Sequence, residues 1–143
     1  MLHLEEISKN ENSVKILFEL LKNRKFNISH KNLPSYNDHK SFVLNHPYRK
    51  WFFVKKNNHL VGSVYIQYDN SIGINFDFSK VNFEFEEFIK KIYKTISPLK
   101  PKPSKVYSNF FVNVPIMNED LSKWLEEGGC FPSQISYEFP KKK

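Results

Sequence analysis

The chain has no alanine, one threonine and one cysteine in 143 residues. A lone Cys130 rules out an internal disulfide and suits a reducing compartment. No stretch approaches the roughly 20 apolar residues of a membrane span. The start, MLHLEEIS, is too acidic and too poor in apolar run for a signal peptide. The location is therefore read as cytoplasmic. Arginine is almost missing too, with two against twenty lysines, and the net charge is +7. Missing alanine beside abundant Lys, Asn, Ile and Phe reads as the codon bias of an AT-rich genome, in which lysine accumulates without a ligand to neutralise. The lysines are scattered, except at Lys141 to Lys143. That scatter argues against a nucleic-acid partner, which would select a patch.

What is present is aromatic: fourteen Phe and seven Tyr. A chain of this length buries about two-thirds of its unfolded surface. It needs no metal or disulfide to fold, and its length fits one domain over residues 1–140 with a basic tail at 141–143.

The hydrophobic pattern sets an element order. Leu2, Leu4 and Ile7 roughly alternate with polar residues, as in a first strand. Ser8 with Glu11 fits a capping box, and Val14, Leu17, Leu20 and Leu21 share one face of a helix near 10–24. Ser35 with Asp38 is a second helix start, carrying Tyr36, His39, Phe42 and Val43, and Pro47 closes it. Residues 51–78 read as three strands: 51–56, a turn at Asn57-Asn58, Leu60 to Tyr68, a turn at Asp69-Asn70, and Ile72 to Phe78. The last of these alternates most clearly, with Ile72, Ile74, Phe76 and Phe78 on one face. Phe85, Phe88, Ile89, Ile92 and Ile96 then predict a helix from about 83 to 96. KPKPSK is an extended connector. Val106 to Val114 reads as a strand, and Asn118 caps a helix with Leu121, Trp124 and Leu125 inside, stopped at Gly128-Gly129. Residues 130–139 predict a final strand. Strand, helix, helix, three hairpin strands, helix, strand, helix, strand implies an α/β three-layer domain with a mixed, mostly antiparallel sheet.

That order resembles the GNAT superfamily of acyl-CoA N-acyltransferases. His30 to Val54, HKNLPSYNDHKSFVLNHPYRKWFFV, is similar to a segment in one branch of it. LVGSVYI followed by SIGINF resembles that branch's third and fourth strands. NVPIMNEDLSKWLEEGGCF resembles the late strand end and helix, with Asn113 and Asn118 at family asparagine positions. The resemblance implies transfer of an acetyl group from acetyl-CoA to a primary amine on a small molecule or sugar. It implies donor contacts at Asn75, Phe76, Phe78, Asn113 and Asn118, and acceptor contacts at His30, Tyr36, Tyr48 and Arg49. In the family, the fourth strand pairs its backbone with the pantetheine arm, and a glycine-rich loop cradles the pyrophosphate at a helix N-terminus.

The chain departs from the family at that loop. Ser79 to Phe88, SKVNFEFEEF, has no glycine, and Asn82, Glu84 and Glu86 fall at the three glycine positions. Carboxylates there repel a pyrophosphate but suit a helix start. The family's tyrosine acid on the late helix aligns with Trp124 or Leu125, and neither can protonate a thiolate. A cleft filled by Phe83, Phe85 or Phe88 would speak for a descendant that no longer binds CoA and serves as a binding or partner module.

Asp77, on the polar side of the fourth strand, is the candidate base; its plain alternative is a solvated strand-end carboxylate. His39 and His46 could titrate near neutrality, or pack a helix face and shape a turn. Apart from Asp38, they lack partners at metal-ligand spacing. Cys130 fits a small buried hydrophobe.

Overall fold

The computed structural model describes residues 1–24, 33–103 and 107–142. Its elements are β1 (Leu2–Glu6), α1 (Glu11–Lys22), α2 (Tyr36–Leu44), β2 (Lys50–Lys56), β3 (His59–Ile66), β4 (Ser71–Phe76), α3 (Phe85–Thr95), β5 (Phe111–Val112) and α4 (Glu119–Glu127), with a short 3₁₀ turn at Phe78–Lys80. The strands form one sheet in chain order, β1-β2-β3-β4-β5. The first three pairings are antiparallel and β4 pairs with β5 in parallel. This is the mixed, mostly antiparallel sheet that the pattern implied.

The β2–β3 turn depends on two asparagines in left-handed conformation, Asn57 (φ 51°) and Asn58 (φ 67°). Asn tolerates that region better than other non-glycine residues, and the geometry matches the strand twist. Cross-strand register then sorts the side chains. Phe52, Val54, Val64, Ile66, Ile72 and Ile74 face α3 and α4 and join Leu121 and Leu125 in one core. Trp51 and Phe53 face the other way and pack with Val14 and Leu17 of α1 and Val43 of α2. The sheet is thus covered on both faces, which makes three layers.

Several boundaries move from their predicted places. The cap of α1 is Asn10, whose side chain accepts from the Ser13 amide at 2.9 Å, and not Ser8. The predicted capping box fails because the helix starts one residue beyond Asn10. β3 stops at Ile66 and not at Tyr68, because Gln67 already belongs to the turn, where its amide bonds to the Ser71 carbonyl. β4 ends at Phe76, two residues short of the expected Phe78, because Asp77 turns the chain. β5 pairs over two residues only, where a strand of nine was expected; the first residue of that span, 106, lies outside the described residues.

The predicted last strand does not form among the described residues. Phe131, Ile135, Tyr137 and Phe139 alternate as expected but stand exposed. Alternation supplies a strand face, and a strand also needs a ladder partner, which this segment does not find among the described residues.

Candidate functional site

The site begins where β4 and β5 part. Their pairing is Ser71 with Phe111 and Ile72 with Val112, and it stops there. Among the described residues, β4 runs on through Gly73, Ile74, Asn75 and Phe76 with β3 on one side only. Backbone groups alternate along a strand. Gln67 donates to the Ser71 carbonyl and Asp77 donates to the Val61 carbonyl, so the odd-numbered residues turn toward β3. The amides and carbonyls of Ile74 and Phe76 therefore turn toward the side that β5 has left. A splayed parallel pair of this kind offers an extended ligand a row of ladder bonds.

Asn70 holds the parting in place. It is fully buried, with φ 70°. Its amide donates to the carbonyls of Leu99 (3.0 Å) and Tyr107 (2.7 Å), and its side-chain oxygen accepts from the Leu99 amide (2.8 Å). Its backbone carbonyl accepts from Phe111. One side chain thus ties the β3–β4 turn to the loop after α3 and to the entry of β5. The sequence marked Asn70 as a turn residue and carried no signal of this role.

The start of α3 is as acidic as the sequence implied. An open depression of about 460 Å³ is lined by Asn82, Phe83, Glu84, Glu86, Glu87 and Lys90. Glu84 occupies the cap position without a side-chain cap bond. Glu86 pairs with Lys90 (3.1 Å) and Glu87 with Lys56 (2.7 Å). Beneath it, Phe83, Phe85 and Phe88 are buried with Phe76 around Trp124, whose indole donates to the Phe83 carbonyl at 3.2 Å. Phe76 points to the α3/α4 face of the sheet, so these rings pack onto that face and leave the β4 edge, which lies in the sheet plane, outside the cluster.

The expected donor residues separate. Asn75 and Phe76 lie on the unpaired stretch of β4, while Phe78 begins the 3₁₀ turn and packs on Trp124. Asn113 follows β5 and is exposed. Asn118 caps α4, accepting from the Leu121 amide at 3.2 Å. Asp77 is not on the polar face of β4. It follows the strand, and its carboxylate accepts from the amide (3.1 Å) and hydroxyl (2.6 Å) of Ser79.

Nor do the expected acceptor residues gather as one group. Tyr36 gives its hydroxyl to Glu11 at 2.5 Å and ties α2 to α1. Arg49 reaches across to the Ser97 carbonyl at 2.9 Å, beyond the end of α3. One guanidinium nitrogen is thereby tied to that loop. His30 lies outside the described residues. Tyr48 enters an aromatic group on the sheet, stacking on Tyr65 at 4.1 Å and meeting Trp51 edge-on at 5.0 Å, while Tyr36 packs edge-on against Phe18 at 5.2 Å. His46 accepts the Tyr48 amide at Nδ1 (3.2 Å) and shapes the turn before β2.

His39 is a core histidine, and its Nε2 donates to the Val14 carbonyl at 3.1 Å. Burial lowers its pKa, against a smaller upward pull from that bond. His46 is also lowered, by burial and then by Lys9. A folded pKa below the unfolded value, about 6.5, means stability is complete above that pH and is lost as pH falls through it toward the folded value. Unfolding free energy in urea is therefore expected to drop between about pH 7.5 and about pH 5.5. His39→Gln, which keeps a donor to Val14, should flatten part of the slope. An unchanged slope would show that His39 is accessible to protons in the folded state.

Among the described residues, no helix is long and apolar enough to cross a membrane. No protein-family model and no curated protein matches the chain. Solved structures do. An integron cassette protein from the mobile metagenome of V. cholerae superposes with a TM-score of 0.62, covering 98% of this chain and 93% of its own, at 12% identity. An aminoglycoside acetyltransferase from an uncultured soil metagenomic sample, solved with sisomicin, gives 0.56, covering 99% and 97%, at 12% identity. A protein described as a possible acetyltransferase from Clostridium difficile gives 0.55, covering 100% and 99%, also at 12% identity. With the antiparallel meander, the crossover helices and the parting of β4 from β5, these likenesses identify the fold of the chain as that of the GNAT superfamily.

Proposed function

We propose that the protein is an acyltransferase that moves an acetyl group from acetyl-CoA to a primary amine on a small molecule. The unpaired edge of β4 beyond Ile72 carries this reading, because it is the backbone surface an extended pantetheine arm would pair with. Bound acetyl-CoA supplies the acetyl thioester. Ile74 and Phe76 would hold the arm through their outward backbone groups. The start of α3 does not fit a diphosphate: it offers three carboxylates and no glycine. Donor affinity then rests on the arm.

Asp77, just past that edge, would take the proton of the incoming amine, directly or through water. Asn caps a turn as well as Asp does, so Asp77→Asn separates chemistry from folding. Asn loses the exposed contact with Lys80 (3.9 Å), a pair worth about 0–1 kcal/mol, so turnover is expected to fall about 100-fold while the melting temperature falls by no more than a few degrees. Full activity in this variant would remove Asp77 from the reaction.

A second reading has its own support. The acidic depression and the Phe83, Phe85, Phe88 and Trp124 cluster suit a module that has lost CoA and kept the fold. Thermal denaturation with rising acetyl-CoA decides between the two. Saturable binding should add about 2.7 kcal/mol at 100 times the dissociation constant. No shift at millimolar acetyl-CoA establishes the second reading. A Glu84→Gly/Glu86→Gly variant that binds where the parent does not would show that the loop is what was lost.

A further inference from the structure

Among the described residues, the buried side-chain polar atoms without a hydrogen-bond partner are Arg24 Nε, Trp51 Nε1 and Ser71 Oγ. All three lie on the α1/α2 side of the sheet. Trp51 is on β2 opposite Tyr65 of β3; Ser71 sits on β4, on the same face as Gly73, which pairs with Tyr65. Arg24 follows α1, and its guanidinium is within electrostatic reach of the Tyr48 and Tyr65 hydroxyls. Buried polar atoms in folded proteins nearly always have partners, so a group of orphans around one feature needs an explanation.

That feature is the Tyr48–Tyr65 stack, nearly parallel at 5°. Trp51 packs edge-on against Tyr48 and is itself 8% exposed. The Tyr65 phenol lies over Gly73, since a Cβ there would come within 2.0 Å of the ring. The stack thus leans on the strand whose far edge faces the donor. Among the described residues no carboxylate pairs with Arg24. Burial lowers its pKa, and only the two phenols push the other way. Arg24 is half-buried, with Nε inside; a guanidinium drawn out of water without a counter-charge is costly, and a water molecule can satisfy an N–H without neutralising the charge. The indole N–H, the phenol hydroxyls and the guanidinium can all donate, and a guanidinium fork matches a carboxylate or phosphate.

We propose that Arg24, Tyr48, Trp51 and Tyr65 bind a compact anionic group, carboxylate or phosphate, carried by the amine acceptor. The acceptor is thus an amino acid or an amino-sugar phosphate, and not a polycation. This deepens the acyltransferase reading, and it is tested by binding in the absence of acetyl-CoA, so that the two can fail separately. The full chain is titrated with two matched pairs, glucosamine with glucosamine 6-phosphate and alaninamide with alanine, followed by thermal shift and calorimetry. The anionic member of one pair is expected to bind at least about 30-fold more tightly than its neutral partner, and the pair that responds identifies the source of the anion. Arg24→Met and Tyr65→Phe should each erase that preference. Arg24→Met should not lower the melting temperature of the free protein, because it removes a half-buried charge that has no paired carboxylate among the described residues. Equal binding within both pairs overturns the proposal even if acetyl-CoA binds. So does an Arg24→Met variant that melts several degrees lower while keeping the preference, since Arg24 would then serve the fold alone.

Discussion

Gly73→Ala is expected to cut turnover about 100-fold while costing only about 1 to 2 kcal/mol of stability. A Cβ at this position would lie 2.0 Å from Cζ and 2.5 Å from the hydroxyl of Tyr65. Those atoms are the far end of a side chain, so the ring can swing away without moving the backbone. What is lost is its stack on Tyr48, a pair of rings worth about 1 kcal/mol. The functional loss is larger because displacing a binding group by about 1 Å can cost two orders of magnitude in rate. Parallel measurement of kcat/KM and of urea denaturation checks both halves. Unchanged turnover with a displaced ring would place the stack outside the acceptor site. A stability loss far above this range would show that Tyr65 is locked by packing.

Gly62→Ala should do the reverse, with a large effect on folding. Here the added Cβ would stand 2.0 Å from the Asn75 carbonyl oxygen and 2.9 Å from Phe76 Cα. These are backbone atoms of the neighbouring strand, so β3 and β4 must separate over a pairing that runs from Gly62–Phe76 to Ile66–Ile72. The expected cost is about 3 kcal/mol or more, a fall in melting temperature of about 10 °C. A loss below about 1 kcal/mol would mean that the two strands yield easily. Asn75 and Phe76 belong to the unpaired stretch of β4, so surviving folded protein should also bind acetyl-CoA less well. The two glycines sit on adjacent strands and read alike in sequence. They differ in what a methyl group would strike.

The same contrast runs through the rest of the chain. The meander was legible because its signals are local. Asn57-Asn58 needs no tertiary partner to prefer left-handed backbone, and Ile72, Ile74 and Phe76 alternate with a period of two whatever lies above them. The helix faces were legible for the same reason: Val14 and Leu17, or Phe85, Phe88 and Ile92, mark a buried stripe by spacing alone. Asp77 was placed on a strand face because alternation continues through Phe78, yet the chain turns there once its carboxylate takes the Ser79 amide. The segment after Gly129 alternates as well as β4 does, and without a neighbouring strand it forms no ladder.

From the sequence alone came the order of elements as far as α4, the mixed sheet, and the acidic, glycine-free start of α3. Each rests on interactions within a few residues. Tertiary structure alone decided where β4 and β5 part, since that depends on Asn70 reaching Leu99 and Tyr107 across 29 and 37 residues. It also set the half-buried Arg24 within electrostatic reach of Tyr48 and Tyr65, with no carboxylate paired to it among the described residues. Such a site is defined by what is missing around a charge, and no spacing along the chain records the surroundings that folding assembles.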